Sequence, residues 1–301
     1  MFHGVIVPMI TPFKKDYSID FEALKWLTEF LMRKGVHGLF PYSTTGEFVH
    51  LKPGEGIKIV ETVLEEAKNS VKIIPGISSN TTLECIELGK KMEDLGVDGV
   101  IATPPFFFKL KTKHLIEHFS GIASRLSLPI IVYNIPSLTG NPIPVEVYEK
   151  LAKEHSNIAG AKITYDSVSY LRNLIIALKE VRKDFSILTG LDDMFLYTLL
   201  IGGDGGIMAC ANFAPQIHVE LYNAYRNGEY EKAIGLSRKL AKLARIYDYA
   251  SSFPSAIKTA FKILGTPVKP VVRPPLTPEP SEVEEKIRMI LTELGLVGSS
   301  Y

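Results

Sequence analysis

The chain has 301 residues, of which 46% are hydrophobic and 22% are charged, and its formal net charge is +1. This composition is typical of a globular protein with a large core, and the scattered basic residues do not favour nucleic acid as a partner. The longest apolar runs, such as residues 128–133, are far shorter than the roughly 20 residues of a membrane-spanning helix. No basic segment precedes an apolar one near the start of the sequence, so we predict a cytoplasmic protein without a secretory signal.

Short apolar runs rich in Val and Ile alternate along the chain with longer segments of helical periodicity. This alternation predicts a parallel sheet with crossover helices. Strands are predicted at residues 4–10, 38–42, 72–77, 98–103, 129–134, 158–163, 185–190 and 204–209. The clearest helices that follow them are predicted at residues 21–33, 53–68, 82–95, 113–126, 145–155, 167–181, 193–201 and 215–226.

Eight strand–helix units predict an α/β protein with a (β/α)8 TIM barrel at residues 1–227. A doubly wound sheet is less consistent with the sequence, because no glycine fingerprint joins the first strand to its helix. The glycine-rich residues 202–206 precede the eighth strand and are typical of a tight turn. Further helices are predicted at residues 229–247, 255–264 and 281–294. We therefore predict a C-terminal helical extension at residues 228–301 that packs on the barrel.

The sixth predicted strand contains a lysine, Lys162, within an otherwise apolar run. Burial disfavours an ammonium ion, so it lowers the pKa of a lysine from about 10.4. A neutral amine can attack a ketone and form a Schiff base, which then accepts electrons during carbon–carbon chemistry. The alternative is a strand-end lysine whose aliphatic stem reaches water. Nearly all other basic residues lie in helical or polar stretches, where we expect them to be solvated.

Two other strand ends carry polar groups with chemical potential. The second strand leads into the hydroxyl-rich turn Ser43, Thr44 and Thr45, whose amides and hydroxyls can hold a carboxylate. The fifth strand ends with Tyr133, a phenol that can relay protons. Active sites of (β/α)8 barrels form at the C-terminal ends of the strands. An amine, a phenol and an anion-binding turn at that end would together suit a 2-keto acid.

Cysteine and histidine patterns give no indication of a cofactor. Cys85 and Cys210 are far apart and are predicted to be small apolar residues, and the sequence contains no C-x-x-C or H-E-x-x-H motif. His114 and His118 share a helical spacing, but they are predicted to lie on a solvated helix face. We therefore predict neither a metal nor another cofactor.

At these residues the chain resembles the dihydrodipicolinate synthase/N-acetylneuraminate lyase family of class I aldolases. The resemblance is carried by ordered motifs that extend over almost the full length. They are Val7-Pro8-Met9-Ile10-Thr11-Pro12-Phe13, Ser43-Thr44-Thr45-Gly46-Glu47, Tyr133-Asn134-Ile135-Pro136 with Thr139-Gly140, Gly160-Ala161-Lys162, Thr189-Gly190-Leu191-Asp192, Gly206-Ile207, Ala211-Asn212-Phe213-Ala214-Pro215 and Arg273-Pro274-Pro275-Leu276.

This resemblance implies a role for each matching residue. Lys162 would form a Schiff base with pyruvate, Tyr133 would move protons, and Thr45 would join the relay or bind the pyruvyl carboxylate. Other substrate contacts are expected from Thr44, Gly190 and Ile207. Hydroxyl groups of the second substrate are expected to meet residues such as Thr164, Tyr42 or Ser43. The implied activity is a lyase that condenses pyruvate with an aldehyde or releases it from a 2-keto acid, with no metal, because the protonated imine accepts the electrons.

Two departures from the synthase pattern bear on the second substrate. Leu138 stands where dihydrodipicolinate synthases carry an arginine that receives a carboxylate, and Phe107 stands where they usually carry a relay tyrosine from a neighbouring subunit. Leucine cannot pair with a carboxylate, and phenylalanine cannot pass a proton. We therefore expect a 2-keto-3-deoxy sugar acid type of substrate, unless Lys109 or Arg273 supplies the missing cation.

Two alternatives remain open from the sequence. The first is a dihydrodipicolinate synthase with an altered acceptor site. The second is a non-catalytic barrel that binds a keto acid, which would not need an activated amine. A homotetramer is also expected, because the aromatic run at residues 106–108 would expose an apolar patch in a monomer.

Overall fold

The computed structural model describes residues 2–298. Residue 1 of the predicted barrel and residues 299–301 of the predicted C-terminal extension lie outside the described residues. The strands are β1 (Gly4–Pro8), β2 (Gly38–Phe40), β3 (Lys72–Ile73), β4 (Val100–Ala102), β5 (Ile130–Asn134), β6 (Ile158–Ile163), β7 (Ser186–Thr189) and β8 (Gly205–Ile207). All eight lie within the predicted strands, and most are shorter than predicted.

Helices separate the strands and follow the last one. They are α1 (Phe21–Arg33), α2 (Pro53–Ala67), α3 (Thr82–Leu95), α4 (Thr112–Ala123), α5 (Pro136–Thr139), α6 (Val145–Glu154), α7 (Val168–Val181), α8 (Phe195–Leu200), α9 (Pro215–Arg226), α10 (Tyr230–Ala244), α11 (Ile246–Tyr249), α12 (Phe253–Ile263) and α13 (Ser281–Glu293). Short 3-10 helices span Phe48–His50, Asp192–Met194 and Ala209–Asn212. The sequence pattern predicted neither α5 nor the 3-10 helices at Phe48–His50 and Ala209–Asn212.

The strands belong to one sheet with the order β3-β2-β1-β8-β7-β6-β5-β4. The described ladders are parallel, among them β1 with β2 and the series from β4 to β8. Beyond β3, Gly76 also pairs in parallel with Ile101 of β4. Eight parallel strands with intervening helices confirm the predicted strand–helix alternation.

Among the described residues, the chain divides into two compact units. One contains residues 2–4 and 72–207, and the other contains residues 5–71 and 208–298. The first unit therefore includes β3 to β8, and the second includes β2, most of β1 and the helices from α9 onward. The predicted boundary at residue 227 and the packing of a C-terminal extension on the barrel stay predictions.

Local sequence explains why these elements form. Every residue of β5 and β6 is buried, as expected for parallel strands that are covered on both faces. The helix α1 begins where the Asp20 carboxylate accepts a hydrogen bond from the amide of Ala23, and Thr81 caps α3 in the same way. Within the described residues, no helix is both long and apolar enough to span a membrane.

The prediction of a solvated histidine face on α4 was wrong for His118. Its side chain is buried, and its Nδ1 lies 2.9 Å from the hydroxyl of Thr82. Burial lowers the pKa of His118 to about 4, so the imidazole is neutral at ordinary pH. This histidine belongs to the packing between α3 and α4.

Candidate active site

The ends of β5 and β6 bring Lys162 and Tyr133 together. The two residues are direct partners in the parallel register of these strands. The Lys162 Nζ lies 4.0 Å from the centre of the Tyr133 ring, and each residue is only 3% exposed. A buried strand therefore carries an amine over the face of an aromatic ring, which attracts the cationic form of that amine.

The surroundings of Lys162 change its acidity. Burial lowers the pKa of this ammonium to about 7, and the attraction of the Asp192 carboxylate partly opposes that shift. Asp192 is itself buried at the start of the 3-10 helix that follows β7. Near neutral pH the Lys162 side chain is thus partly deprotonated, and the neutral amine is the nucleophilic form.

Thr164 and Gly190 complete this group of neighbours. The Thr164 hydroxyl donates a hydrogen bond of 3.3 Å to the phenol oxygen of Tyr133. A Cβ atom on residue 190 would lie 1.8 Å from the Thr164 Oγ1 and 3.2 Å from the Lys162 Cε. Only glycine therefore leaves room for the Thr164 hydroxyl beside the lysine.

A second layer of hydrogen bonds fixes the end of β5 next to Tyr133. The Asn134 amide donates to the Tyr170 hydroxyl at 2.9 Å, and that hydroxyl donates to the carbonyl of Ile143 at 2.6 Å. The amide of Ile143 returns a hydrogen bond of 3.2 Å to the Asn134 Oδ1. This closed network holds the backbone that carries the phenol.

The predicted residue Ile207 is the last residue of β8 and is buried in the same unit. In the sheet, β8 is separated from β6 by β7. The proposed contact of Ile207 with substrate stays a prediction.

The predicted anion-binding turn lies in the other unit. Ser43 and Thr45 are buried there, and Thr44 is partly exposed. The Ser43 hydroxyl donates to the carbonyl of Met9 at 3.0 Å and accepts from the amide of Gly46 at 2.9 Å. Ser43 is therefore occupied in shaping the turn, while substrate binding by Thr44 and Thr45 stays a prediction.

A family model decides the relationship of this chain to known proteins. The model of the dihydrodipicolinate synthetase family matches residues 1–294. The chain belongs to this family. Its members are lyases and aldolases, so the protein is an enzyme of the lyase class, and the resemblance inferred from the motifs is confirmed.

Similar family members refine this relationship. The chain is 56% identical to an uncharacterized DapA-like lyase of Thermofilum pendens, over 98% of each protein. It is 36% identical to a probable 2-dehydro-3-deoxy-D-pentonate aldolase of Escherichia coli K12, again over 98% of each. The crystal structure of YagE, a family member from E. coli K12 in complex with pyruvate, matches with a TM-score of 0.96 and 34% identity, over 98% of this chain and 99% of YagE. The (β/α)8 architecture predicted from the sequence is that of these family structures.

The two positions that depart from the synthase pattern are both exposed within their unit. Leu138 lies on the short helix α5, and 51% of it is exposed. Phe107, which is 83% exposed, lies in the segment after β4, where its ring contacts that of Phe108 edge to face. The buried Asn141 anchors this segment by donating to the carbonyls of Pro105 and Phe108. The aromatic rings therefore project from a well-anchored segment.

The expectation that other basic residues are solvated was wrong for Lys258. This residue of α12 is 0% exposed, and its Nζ lies 2.6 Å from the Glu47 Oε1. It also donates to the carbonyl of Val271 at 2.8 Å and lies 4.2 Å from the centre of the Phe13 ring. The sequence contained a signal, because the run Ala256-Ile257-Lys258-Thr259-Ala260-Phe261 places this lysine among apolar residues.

Arg273, which was considered as a replacement cation for the acceptor site, is committed elsewhere. Its guanidinium forms two hydrogen bonds with the Glu55 carboxylate, at 2.6 and 2.8 Å, and donates to the carbonyls of Tyr17 and His50. The pairing lowers the pKa of Glu55 to about 2. Such a two-pronged contact with further carbonyl acceptors makes Arg273 a structural residue.

The sequence did not indicate that Asp192 would act on the pKa of Lys162. Asp192 was noted only as part of a motif, although an acidic residue just after a strand end was an available signal. Among the described residues, no group of three or more His, Cys, Asp or Glu side chains is arranged to hold a metal ion.

Proposed function

We propose that this lyase is a class I aldolase that forms a Schiff base between Lys162 and pyruvate. The observation that carries the proposal is the buried Lys162 amine, with a pKa of about 7, over the ring of Tyr133 at 4.0 Å. The pyruvate complex of the similar protein YagE supports the choice of ketone. The proposed mechanism uses no cofactor.

The chemistry follows from these groups. The neutral amine attacks the keto carbon of pyruvate to give a carbinolamine, and this adduct takes up a proton and loses water to leave a protonated imine. A proton then leaves the methyl carbon to give an enamine, which forms a carbon–carbon bond to the aldehyde carbon while the aldehyde oxygen takes a proton. Hydrolysis of the new imine frees the product and regenerates Lys162. Tyr133 is proposed to move the protons, with Thr164 orienting its hydroxyl.

The carboxylate of pyruvate is proposed to be held by the turn that contains Thr44 and Thr45. Hydroxyl and amide donors that already point at a bound carboxylate would lower the cost of forming the iminium beside it. Gly190 and Ile207 are proposed to line the pocket, as the family resemblance implies.

The second substrate is proposed to be a neutral hydroxyaldehyde, so that the cleaved substrate is a 2-keto-3-deoxy sugar acid. Leu138 offers no charge to an acceptor carboxylate, and Phe107 carries no hydroxyl. Relatives named as 2-dehydro-3-deoxy-pentonate and 2-dehydro-3-deoxy-gluconate aldolases support this class. Hydroxyl groups of the aldehyde are proposed to meet Thr164, with Tyr42 as a further candidate.

A dihydrodipicolinate synthase with an altered acceptor site is the second candidate. Several similar solved structures carry that name, among them one from Thermotoga maritima with a TM-score of 0.95 and 32% identity. The non-catalytic alternative is disfavoured, because the family consists of lyases and aldolases.

Borohydride trapping tests the Schiff base. Protein mixed with pyruvate and borohydride should gain the mass of a reduced pyruvyl group, on the peptide that contains Lys162. Lys162→Ala should gain no label, and Lys179→Ala, which removes another partly buried lysine of the same unit, should label normally. An unlabelled wild-type protein, or label retained in Lys162→Ala, would refute the mechanism.

Kinetics with two aldehydes separate the two candidate functions. Glyceraldehyde or glycolaldehyde should be condensed with pyruvate at a kcat/KM about 10- to 100-fold above that of aspartate semialdehyde. The reason is that Leu138 cannot form a charge-assisted hydrogen bond with the carboxylate of aspartate semialdehyde. Leu138→Arg should narrow this preference. A clear preference of the wild type for aspartate semialdehyde would instead establish the synthase.

A homotetramer is also proposed, with the exposed rings of Phe107 and Phe108 at a contact between subunits. Exposed neighbouring aromatic side chains are a feature of protein interfaces. Analytical ultracentrifugation at micromolar concentration should show a species about four times the 33.4 kDa mass of the chain. A 33 kDa monomer would contradict this assembly. A cytoplasmic location stays a prediction from the sequence.

A further inference from the structure

A buried charged cluster lies directly behind the turn that contains Thr44 and Thr45. At its centre is the carboxylate of Glu47, which is 2% exposed. One carboxylate oxygen accepts from Lys258 at 2.6 Å, and the other accepts from the backbone amide of Arg273 at 2.9 Å. The second oxygen also lies 3.3 Å from the Nδ1 of His50. Both oxygens of the carboxylate are thus held from the C-terminal part of the chain.

The backbone of Glu47 links this cluster to the turn. Its φ angle of 59° lies in the left-handed region, which is uncommon for a residue with a side chain. Its amide donates to the carbonyl of Thr44 at 3.0 Å, and the next amide, of Phe48, donates to the carbonyl of Ser43 at 3.2 Å. A conformation of this kind persists where surrounding contacts hold it in place.

Other polar groups of the turn are also occupied. The Ser43 hydroxyl bridges the carbonyl of Met9 and the amide of Gly46, and the Thr11 hydroxyl donates to the carbonyl of Gly46 at 2.7 Å. The hydroxyls of Thr44 and Thr45 take no part in these hydrogen bonds. The scaffold therefore shapes the turn without using the two groups that are proposed to bind carboxylate.

We propose that Lys258 and Glu47 are positioning residues for the substrate carboxylate: their buried ion pair holds the turn so that the hydroxyls of Thr44 and Thr45 are set for binding. This inference rests on the proposed function, since it assumes that the turn binds the carboxylate of pyruvate. Neither member of the pair is proposed to touch substrate. The pair acts through the backbone of Glu47, and it makes α12 a part of the binding apparatus.

Position 258 offers the direct test. Lys258→Met keeps most of the side-chain volume but leaves the Glu47 carboxylate without its cation, so the turn should lose its fixed geometry. The concentration of pyruvate that gives half-maximal borohydride trapping should rise about 10-fold or more, since hydrogen bonds to a charged group are lost. Exhaustive trapping at high pyruvate counts the folded sites, so that a loss of folded protein is not mistaken for weaker binding.

A ketone without a carboxylate distinguishes positioning from general damage. Trapping with hydroxyacetone should be half-maximal at the same concentration in wild type and Lys258→Met, within about 2-fold, because it presents no carboxylate to the turn. The matched control is Lys262→Met on the same helix, which removes the partner of Glu284 and should leave both ketones unaffected. Should Lys258→Met fail to fold, Glu47→Gln, which keeps the shape of the side chain, should show the same selective loss for pyruvate.

The outcomes are distinct. If the pyruvate concentration for half-maximal trapping is unchanged in a folded Lys258→Met or Glu47→Gln variant, the inference is overturned and the proposed function stays intact. Equal weakening for both ketones would also overturn it, because the effect would not concern the carboxylate. If the wild-type protein traps hydroxyacetone and pyruvate at the same half-maximal concentration, the carboxylate does not contribute to binding and the inference is refuted. If the wild-type protein traps neither ketone, the proposed function itself is refuted.

Discussion

Two buried lysines, Lys162 and Lys258, show how different surroundings give the same side chain different uses. Lys162 lies on a strand, over the ring of Tyr133, and its Coulombic partner is Asp192. Lys258 lies on a helix, over the ring of Phe13, and donates directly to the Glu47 carboxylate. Burial lowers the pKa of both, to about 7 for Lys162 and about 8 for Lys258, where the pairing with Glu47 opposes the shift.

The difference lies in what each amine is engaged with. A lysine bound to a carboxylate and a carbonyl at 2.6 and 2.8 Å is committed to structure, because deprotonation would cost it an ion pair. The Lys162 amine lies over the Tyr133 ring in the field of the Asp192 carboxylate, and burial brings its pKa to about 7. Burial is therefore common to both lysines, and the direct contact with the Glu47 carboxylate marks Lys258 as a member of a buried ion pair.

Removing the Lys162 amine should have the largest effect on activity. Lys162→Met should lower kcat/KM by about 10⁴-fold or more and abolish trapping, because the covalent intermediate cannot form. The folded structure should persist, as judged by circular dichroism. Residual activity within 10-fold of wild type would remove the distinction between the two lysines.

Removing the Lys258 amine should lower stability, in addition to the weaker pyruvate binding expected above. Lys258→Met breaks a fully buried pair and should lower the free energy of unfolding by about 3–5 kcal/mol, because a charge stays buried without its partner. Urea unfolding measures this change. The comparison would fail if Lys162→Met destabilised the protein as much as Lys258→Met did.

The ring over Lys162 carries a hydroxyl that should have a chemical role, whereas the Phe13 ring over Lys258 carries no hydroxyl. Tyr133→Phe keeps the aromatic face and removes the hydroxyl that Thr164 contacts, so turnover should fall by about 10²-fold while trapping with pyruvate persists. Steady-state kinetics beside trapping assays would show this separation. Turnover near the wild-type value would exclude Tyr133 as the proton relay.

The pH dependence should follow the amine of Lys162. With cyanoborohydride in large excess, so that attack by the amine limits trapping, the initial trapping rate at low pyruvate should rise about 10-fold per pH unit below pH 7. It should level off above pH 7, as the ammonium with a pKa of about 7 loses its proton. A plateau that begins only near pH 9 or above would show that Lys162 is not perturbed.

The free energy of unfolding should respond to the titration of Lys162 above pH 7. Between about pH 7 and 10.5 the unfolded chain holds a proton on Lys162 that the folded protein has lost, so the unfolding free energy rises with pH. Lys162→Met lacks this contribution, and Lys258 titrates alike in both proteins. The wild type should therefore gain stability relative to Lys162→Met across this window, and a constant difference would contradict the lowered pKa.

The sequence predicted the strand–helix order and the placement of Lys162 and Tyr133 at strand ends on one face, because both follow from local patterns. Their direct pairing in the register was not predicted. Apolar runs mark buried strands, and the ends of neighbouring parallel strands lie at one edge. It could not place Glu47 beside Lys258, since 211 positions separate them and no periodicity relates a turn to a distant helix. The engagement of Arg273 with Glu55 was hidden for the same reason, because a guanidinium in a proline-rich stretch looks equally suited to substrate and to structure.

Glu47 is synthesised well before the two residues that hold its carboxylate. The amide of Arg273 that holds the Glu47 carboxylate follows it by 226 positions. At about 5–20 residues per second, a ribosome adds that stretch in roughly 10 to 45 seconds. Until then the Glu47 carboxylate has neither the Lys258 ammonium nor the Arg273 amide as a partner. The growing chain therefore acquires its proposed carboxylate-binding geometry only after α12 and the segment up to Arg273 have left the ribosome.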